Sequence, residues 1–82
     1  MPTVTLYTRA RCHLCDDAKV VIESVRREHP FQLDVIDVDS DASLRELYGL
    51  EVPVIAIDGR KAFKYRLTAD ALREKLQRAS AS

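Results

Sequence analysis

Apolar and polar positions change period several times along the chain, and each change marks an element. Val4, Leu6 and Tyr7 lie in the β-rich segment Thr3–Thr8, which reads as a first strand. A polar loop, Arg9–His13, follows. Leu14, Ala18, Val21, Ile22 and Val25 then recur at helical spacing, with Asp17, Lys19, Glu23 and Arg26 on other faces. Pro30 ends this first helix and biases Glu28 and His29 away from helical geometry. Phe31, Leu33 and Val35 alternate with Gln32 and Asp34 as a second strand. Ile36 and Val38 continue it on the opposite face, which predicts a strand covered on both sides.

The second half uses shorter signals. Asp39, Ser40 and Asp41 supply capping oxygens for a short helix bearing Leu44, Leu47 and Tyr48, and Gly49 is expected to close it in a left-handed conformation. Val54–Ile57 is a third strand beginning after Pro53. Asp58-Gly59 is a strong hairpin signal and leads into an alternating fourth strand, Lys61–Tyr65, at a sheet edge. Thr68 caps a last helix with the stripe Ala69, Leu72, Leu76 and Ala79, and Leu67 is spaced to staple against Leu72. The order is strand, helix, strand, helix, strand, strand, helix. The first three elements form a βαβ unit with parallel strands and the later pair an antiparallel hairpin. The predicted architecture is therefore α/β: a four-stranded mixed sheet flanked by three helices.

Length and composition narrow the function. Eighty-two residues make a single domain, 1–82, with one modest core. Thirteen basic and thirteen acidic side chains cancel, so the chain lacks the basic footprint of a general nucleic-acid binder. No apolar run approaches a membrane span, and no basic leader precedes a long apolar stretch, which predicts a cytoplasmic protein.

Both cysteines fall within four residues, at Cys12 and Cys15. A disulfide between them closes too small a loop to constrain the unfolded chain much, so their purpose is chemistry or metal binding. They sit where the first strand ends and the first helix begins. Free amides and the helix dipole favour thiolate over thiol there. Arg9 and Arg11 add positive charge, as does His13 when protonated, while Asp16 and Asp17 oppose it. Cys12, at the loop end, is predicted to be exposed, and Cys15, one turn in, to be buried. Such unequal thiols suit a relay in which Cys12 attacks a disulfide and Cys15 resolves the mixed disulfide. A structural zinc site needs four ligands, and only His13 and His29 remain. His29 lies roughly 20 Å along the helix from Cys15 at about 1.5 Å per residue, so a single-chain site fails on distance. A site shared by two chains stays open, as does a redox-inactive interaction module. The acidic run Asp37–Asp41 lacks the spaced ligands and glycine of a calcium loop and reads as a solvated strand end with helix caps.

Leu6-Tyr7-Thr8-Arg9, Cys12-x-x-Cys15, Tyr48-Gly49-x-x-Val52-Pro53-Val54 and Asp58-Gly59, taken in order, resemble the glutaredoxin branch of the thioredoxin-like superfamily over nearly the whole chain. The closest likeness is to short bacterial glutaredoxin-like proteins with C-x-L-C followed by Asp. The resemblance implies a thioredoxin-like fold and a thiol–disulfide oxidoreductase, with Cys12 as nucleophile and Cys15 as resolving thiol. It implies a cis Val52–Pro53 bond whose Val52 backbone meets an incoming peptide or glutathione, and Arg9 matches a basic position suited to a substrate carboxylate or the thiolate. Read from their own positions, His13 beside the nucleophile and Thr68 at the N-terminus of the last helix are further substrate-binding candidates. No bound organic cofactor is expected. Glutathione enters as a cosubstrate, if used at all, and the partners are a disulfide substrate, protein or small thiol, and a reductase or glutathione for recycling. A monomer is expected. Three departures stand out. His13-Leu14 replaces the common Pro-Tyr between the cysteines, and Glu51 replaces the usual Thr. Tyr65–Asp70 stands where glutaredoxins carry the Gly-Gly-x-Asp segment that holds the glutamyl end of glutathione.

Overall fold

A computed structural model describes residues 2–81. Its elements are β1 (Thr3–Thr8), α1 (His13–Glu28), β2 (Gln32–Asp37), a 3-10 turn (Val38–Ser40), α2 (Ala42–Tyr48), β3 (Val54–Ile57), β4 (Arg60–Lys64) and α3 (Ala69–Ala81). They form one four-stranded mixed sheet in the order β2-β1-β3-β4. β1 runs parallel to β2, with Leu6 opposite Val35, and antiparallel to β3, with Leu6 opposite Ile55. β3 pairs antiparallel with β4, with an irregularity between Ile55 and Ala56.

Strand alternation divides the apolar residues between two faces. Val4 and Leu6 of β1, with Ile55 and Ile57 of β3, pack against Ala18, Ile22 and Val25 of α1 and Leu72 and Leu76 of α3. This is the main core, and Leu67 and Ala69 pack at its border. Tyr7 points to the other face and stacks on Tyr48 of α2, with ring centroids 4.7 Å apart. All four residues of β3 are buried because the strand is interior in the sheet.

Most sequence expectations hold, and the exceptions are instructive. β2 is an edge strand and is not covered on both faces: Val35 is 48% exposed. Val38 is fully buried, but from the 3-10 turn beyond the strand. Gly49 does not take the left-handed cap. Its φ is −54°, and the glycine is required because a Cβ would lie 2.5 Å from the Arg45 carbonyl oxygen. β4 begins and ends one residue earlier than expected, since Tyr65 leaves the strand at φ +67°. α1 runs through Glu28, and only His29, beside Pro30, is extended. Asp58 and Gly59, at φ +51° and +84°, form the expected hairpin turn. Asp58 also secures the start of β1: its Oδ1 accepts the Thr3 N–H at 2.9 Å and its own N–H donates to the Thr3 carbonyl at 2.8 Å.

Candidate active site

The ladders fix which loops meet. Thr8 is opposite Asp37, Tyr7 opposite Val54, and Val54 opposite Lys64. One end of the sheet therefore gathers the loop after β1, the 3-10 turn after β2, the segment before β3 and the segment after β4. The two cysteines, Val52-Pro53 and Tyr65–Thr68 belong to that end.

Cys12 is the N-cap of α1, with extended backbone at φ −107° and ψ 103°. Its Sγ accepts the Cys15 N–H at 3.1 Å, and its carbonyl accepts the Asp16 N–H at 3.2 Å. The sulfur thus occupies the place of a capping oxygen, against the positive end of the helix dipole. Arg11, immediately before it, is held at φ +60°, a sparsely populated conformation for a residue with a Cβ. Cys12 and Cys15 are joined as a disulfide, with Cα atoms 5.2 Å apart. Cys15 is 2% exposed and faces the core side of α1, whereas Cys12 is half-buried and reaches solvent. The unequal exposure expected from helix phase is present. His13, the first helical residue, is exposed.

On the dithiol helix, Leu14, Asp17 and Ala18 form one wall of a cleft of about 270 Å³, and Tyr65, Arg66, Leu67 and Thr68 form the other. Thr68 Oγ1 accepts the Ala71 N–H at 3.2 Å and caps α3, so its hydroxyl is committed at this wall. Tyr65 is shaped by two bonds. Its N–H donates to the Pro53 carbonyl at 2.9 Å, and the Arg66 N–H closes a three-residue turn on the Lys64 carbonyl at 2.8 Å. This turn joins the β4 end to the Pro53 loop, and the sequence carried no glycine to announce it.

The Val52–Pro53 peptide bond is cis. Pro53 is buried and Val52 half-buried. Among the described residues, neither the Val52 N–H nor its carbonyl has a hydrogen-bond partner. Beside it, Glu51 pairs with Lys61, whose Nζ lies 6.0 Å from the Tyr48 ring centroid. The hydrogen bond from Lys61 holds the Glu51 carboxyl below its ordinary range, against the opposing cost of desolvation and with further help from the Lys61 and Lys64 charges.

Arg9 is committed to structure. Its Nε and Nη2 grip Asp39 Oδ2 and Oδ1 at 3.1 and 2.9 Å, and Nη1 donates to the Gly49 carbonyl at 3.0 Å. One side chain thus ties the end of β1 to the 3-10 turn and to the end of α2. Sequence reading aimed Arg9 at the thiolate or at a substrate carboxylate, because its partners lie 30 and 40 residues away and nothing local announces them. Among the described residues, no group of three or more His, Cys, Asp or Glu side chains converges on a metal position, and His29 caps the far end of α1. No helix among the described residues is long and apolar enough to cross a membrane.

Known proteins share both the chain and its shape. The family described as Glutaredoxin-like domain matches residues 3–77. An uncharacterized protein of Mycobacterium tuberculosis is 35% identical over 82 residues, covering 88% of this chain and 84% of its own. A Dictyostelium discoideum protein named as glutaredoxin-like is 32% identical over 75 residues, covering 84% of this chain and 69% of its own. The X-ray structure of the X. campestris protein XcR50 superposes with a TM-score of 0.78 at 36% identity, over 92% of this chain and 96% of that one. A thioredoxin from Halobacterium salinarum, at 23% identity and a TM-score of 0.68, covers 94% of this chain and 73% of its own, and shares the fold. With a half-accessible Cys12 bonded to a buried Cys15 on this thioredoxin-like fold, the chain belongs to the glutaredoxin-like domain family.

Proposed function

We propose that the protein is a thiol–disulfide oxidoreductase working through Cys12 and Cys15. The observation that carries this reading is the placement of two bondable sulfurs in unequal surroundings, one at a helix N-cap within reach of solvent and one sealed beneath it. In the reduced protein the Cys12 thiolate attacks one sulfur of a substrate disulfide. An S–S bond forms between Cys12 and the substrate, and the other substrate sulfur leaves as a thiolate and takes a proton from water. Cys15 then gives up its proton and attacks Cys12 Sγ. The intermolecular bond breaks, the second substrate thiol departs, and the Cys12–Cys15 disulfide remains. Two electrons have passed from the dithiol to the substrate. Glutathione or a dithiol reductase returns them, in a reducing compartment such as the cytoplasm.

The neighbouring groups support this cycle in distinct ways. The Cys15 N–H, donated to Cys12 Sγ, favours the thiolate as attacker and as leaving group. The unpaired Val52 backbone groups, fixed next to Pro53, suit an extended chain that pairs as an added strand. Thr68 and the start of α3 offer amides to a carboxylate across the cleft. His13 adds positive charge beside the sulfur whenever protonated. Arg9 serves by fixing the loop that carries Val52, and a monomer suffices for every step.

The test is to mix reduced Cys12→Ser and Cys15→Ser with a peptide disulfide and follow intact mass. Cys15→Ser is expected to accumulate the mixed disulfide, and Cys12→Ser to form none. Equal behaviour of the two variants overturns the assignment.

A further inference from the structure

The net charge of zero hides a strong separation of charge. Between residues 60 and 78 seven cations stand against two carboxylates, and between residues 32 and 51 six carboxylates stand against Arg45 alone. The strand order places Asp34 and Asp37 of β2 and Arg60, Lys61 and Lys64 of β4 at opposite edges of the sheet. Part of the basic group is neutralised internally: Arg73 by Glu28 and Asp70, Arg78 by Glu74, and Lys61 by Glu51. Arg60, Lys64, Arg66 and Lys75 form no ion pair among the described residues.

Two of these unpaired cations adjoin the site. Lys64 is opposite Val54, one residue beyond Pro53, and its Nζ lies 5.4 Å from the Tyr65 ring centroid. Arg66 lines the cleft beside Leu14, between the two cysteines in sequence. Among the described residues the outer edge of β4 has no partner strand, so a chain leaving Val52 can continue along a basic border. Asp17, on the facing wall of the cleft, repels carboxylates toward that border.

From this charge separation we propose that the site selects disulfides carried on acidic segments, with Lys64 and Arg66 holding carboxylates that flank the substrate cysteine. The proposal rests on the dithiol reading above and adds the class of substrate. A field of one sign at the mouth of a site raises encounter rates by about 10 to 10³ at low ionic strength, and salt removes the gain.

The experiment measures reduction rates for three peptide disulfides of equal length, whose cysteines are flanked by Glu, Gln or Lys, together with the small neutral disulfide of mercaptoethanol. The Glu peptide is expected to react about tenfold or more faster than the Lys peptide at low salt. The ratio is expected to collapse toward one at high salt and to invert in Lys64→Glu/Arg66→Glu. Failure to reduce any disulfide, the neutral one included, overturns the dithiol reading. Reduction of the neutral disulfide with no preference for the Glu peptide overturns the selectivity alone. A preference that survives the double substitution overturns its assignment to Lys64 and Arg66.

Discussion

α1 and α2 both frame the dithiol end of the sheet, yet they are held by opposite means. α1 buries Ala18, Ile22 and Val25 against β1, β3 and α3, and Cys15 on the same helix is buried too. α2 has no buried residue at all, and Leu47 on it is 63% exposed. What fixes α2 is directional: the Arg9 fork on Asp39 and the Gly49 carbonyl, and the Tyr7–Tyr48 stack. Apolar burial locks the sulfur-bearing wall by area removed from water, which salt scarcely alters. α2 is held by a few polar contacts with about a third of their surface in water, and is expected to loosen before the main core does.

The contrast breaks most sharply with Ile22→Ala, which empties a fully buried site in the main core. Denaturant unfolding is expected to show a loss of about 2–5 kcal/mol, whereas Leu47→Ala on α2 stays within about 0.5 kcal/mol. Comparable losses would mean that α2 is packed after all. Arg9→Ala is next, at about 1 kcal/mol globally once solvent screening is allowed for. Its signature is local: the Gly49 and Glu51 amides, which donate to Arg45 and Tyr48, should exchange faster while those of Val25 and Ile55 keep their protection. Arg9→Lys should not restore them, because an ammonium cannot form the two-pronged bond to Asp39. Uniform acceleration across the chain would remove the special status of α2.

The smallest effect belongs to the ion pair that joins α1 to α3. The Arg73 hydrogen bond holds the Glu28 carboxyl below its ordinary value, helped by the Arg73 and His29 charges and opposed by desolvation. A carboxylate with a depressed folded-state pKa contributes stability above its unfolded value, and the contribution fades as pH falls through the folded one. Glu28→Gln should therefore be slightly less stable than the parent at neutral pH, and the two should converge in acid. Unfolding curves at pH 7 and pH 3 check this. A gap that persists in acid would assign the difference to packing.

Much of this was readable from residue order, for physical reasons that differ by element. The α1 stripe and the Asp58-Gly59 turn are local codes, set by helical period and by tolerance of positive φ, and both were realised. The unequal exposure of Cys12 and Cys15 followed from helix phase in the same way. Errors arose where distant neighbours decide. β2 carries apolar residues on both faces, but only its place at the edge of the sheet leaves Val35 in water. Gly49 is dictated by closeness to the Arg45 carbonyl rather than by its own φ. Neither the partners of Arg9 nor the bond from Tyr65 to Pro53 leaves a local trace, because each joins segments that meet only once the sheet has formed.

That last bond limits how a visiting chain can be gripped. Pro53 has no N–H to offer, and its carbonyl is already taken by Tyr65, so on the segment leading into β3 a guest strand meets both a free N–H and a free carbonyl at Val52 and neither at Pro53. A guest is pinned there as by one rivet, not fastened along a zipper. Main-chain attachment at that rivet is indifferent to sequence, and discrimination among guests falls to the side chains around it.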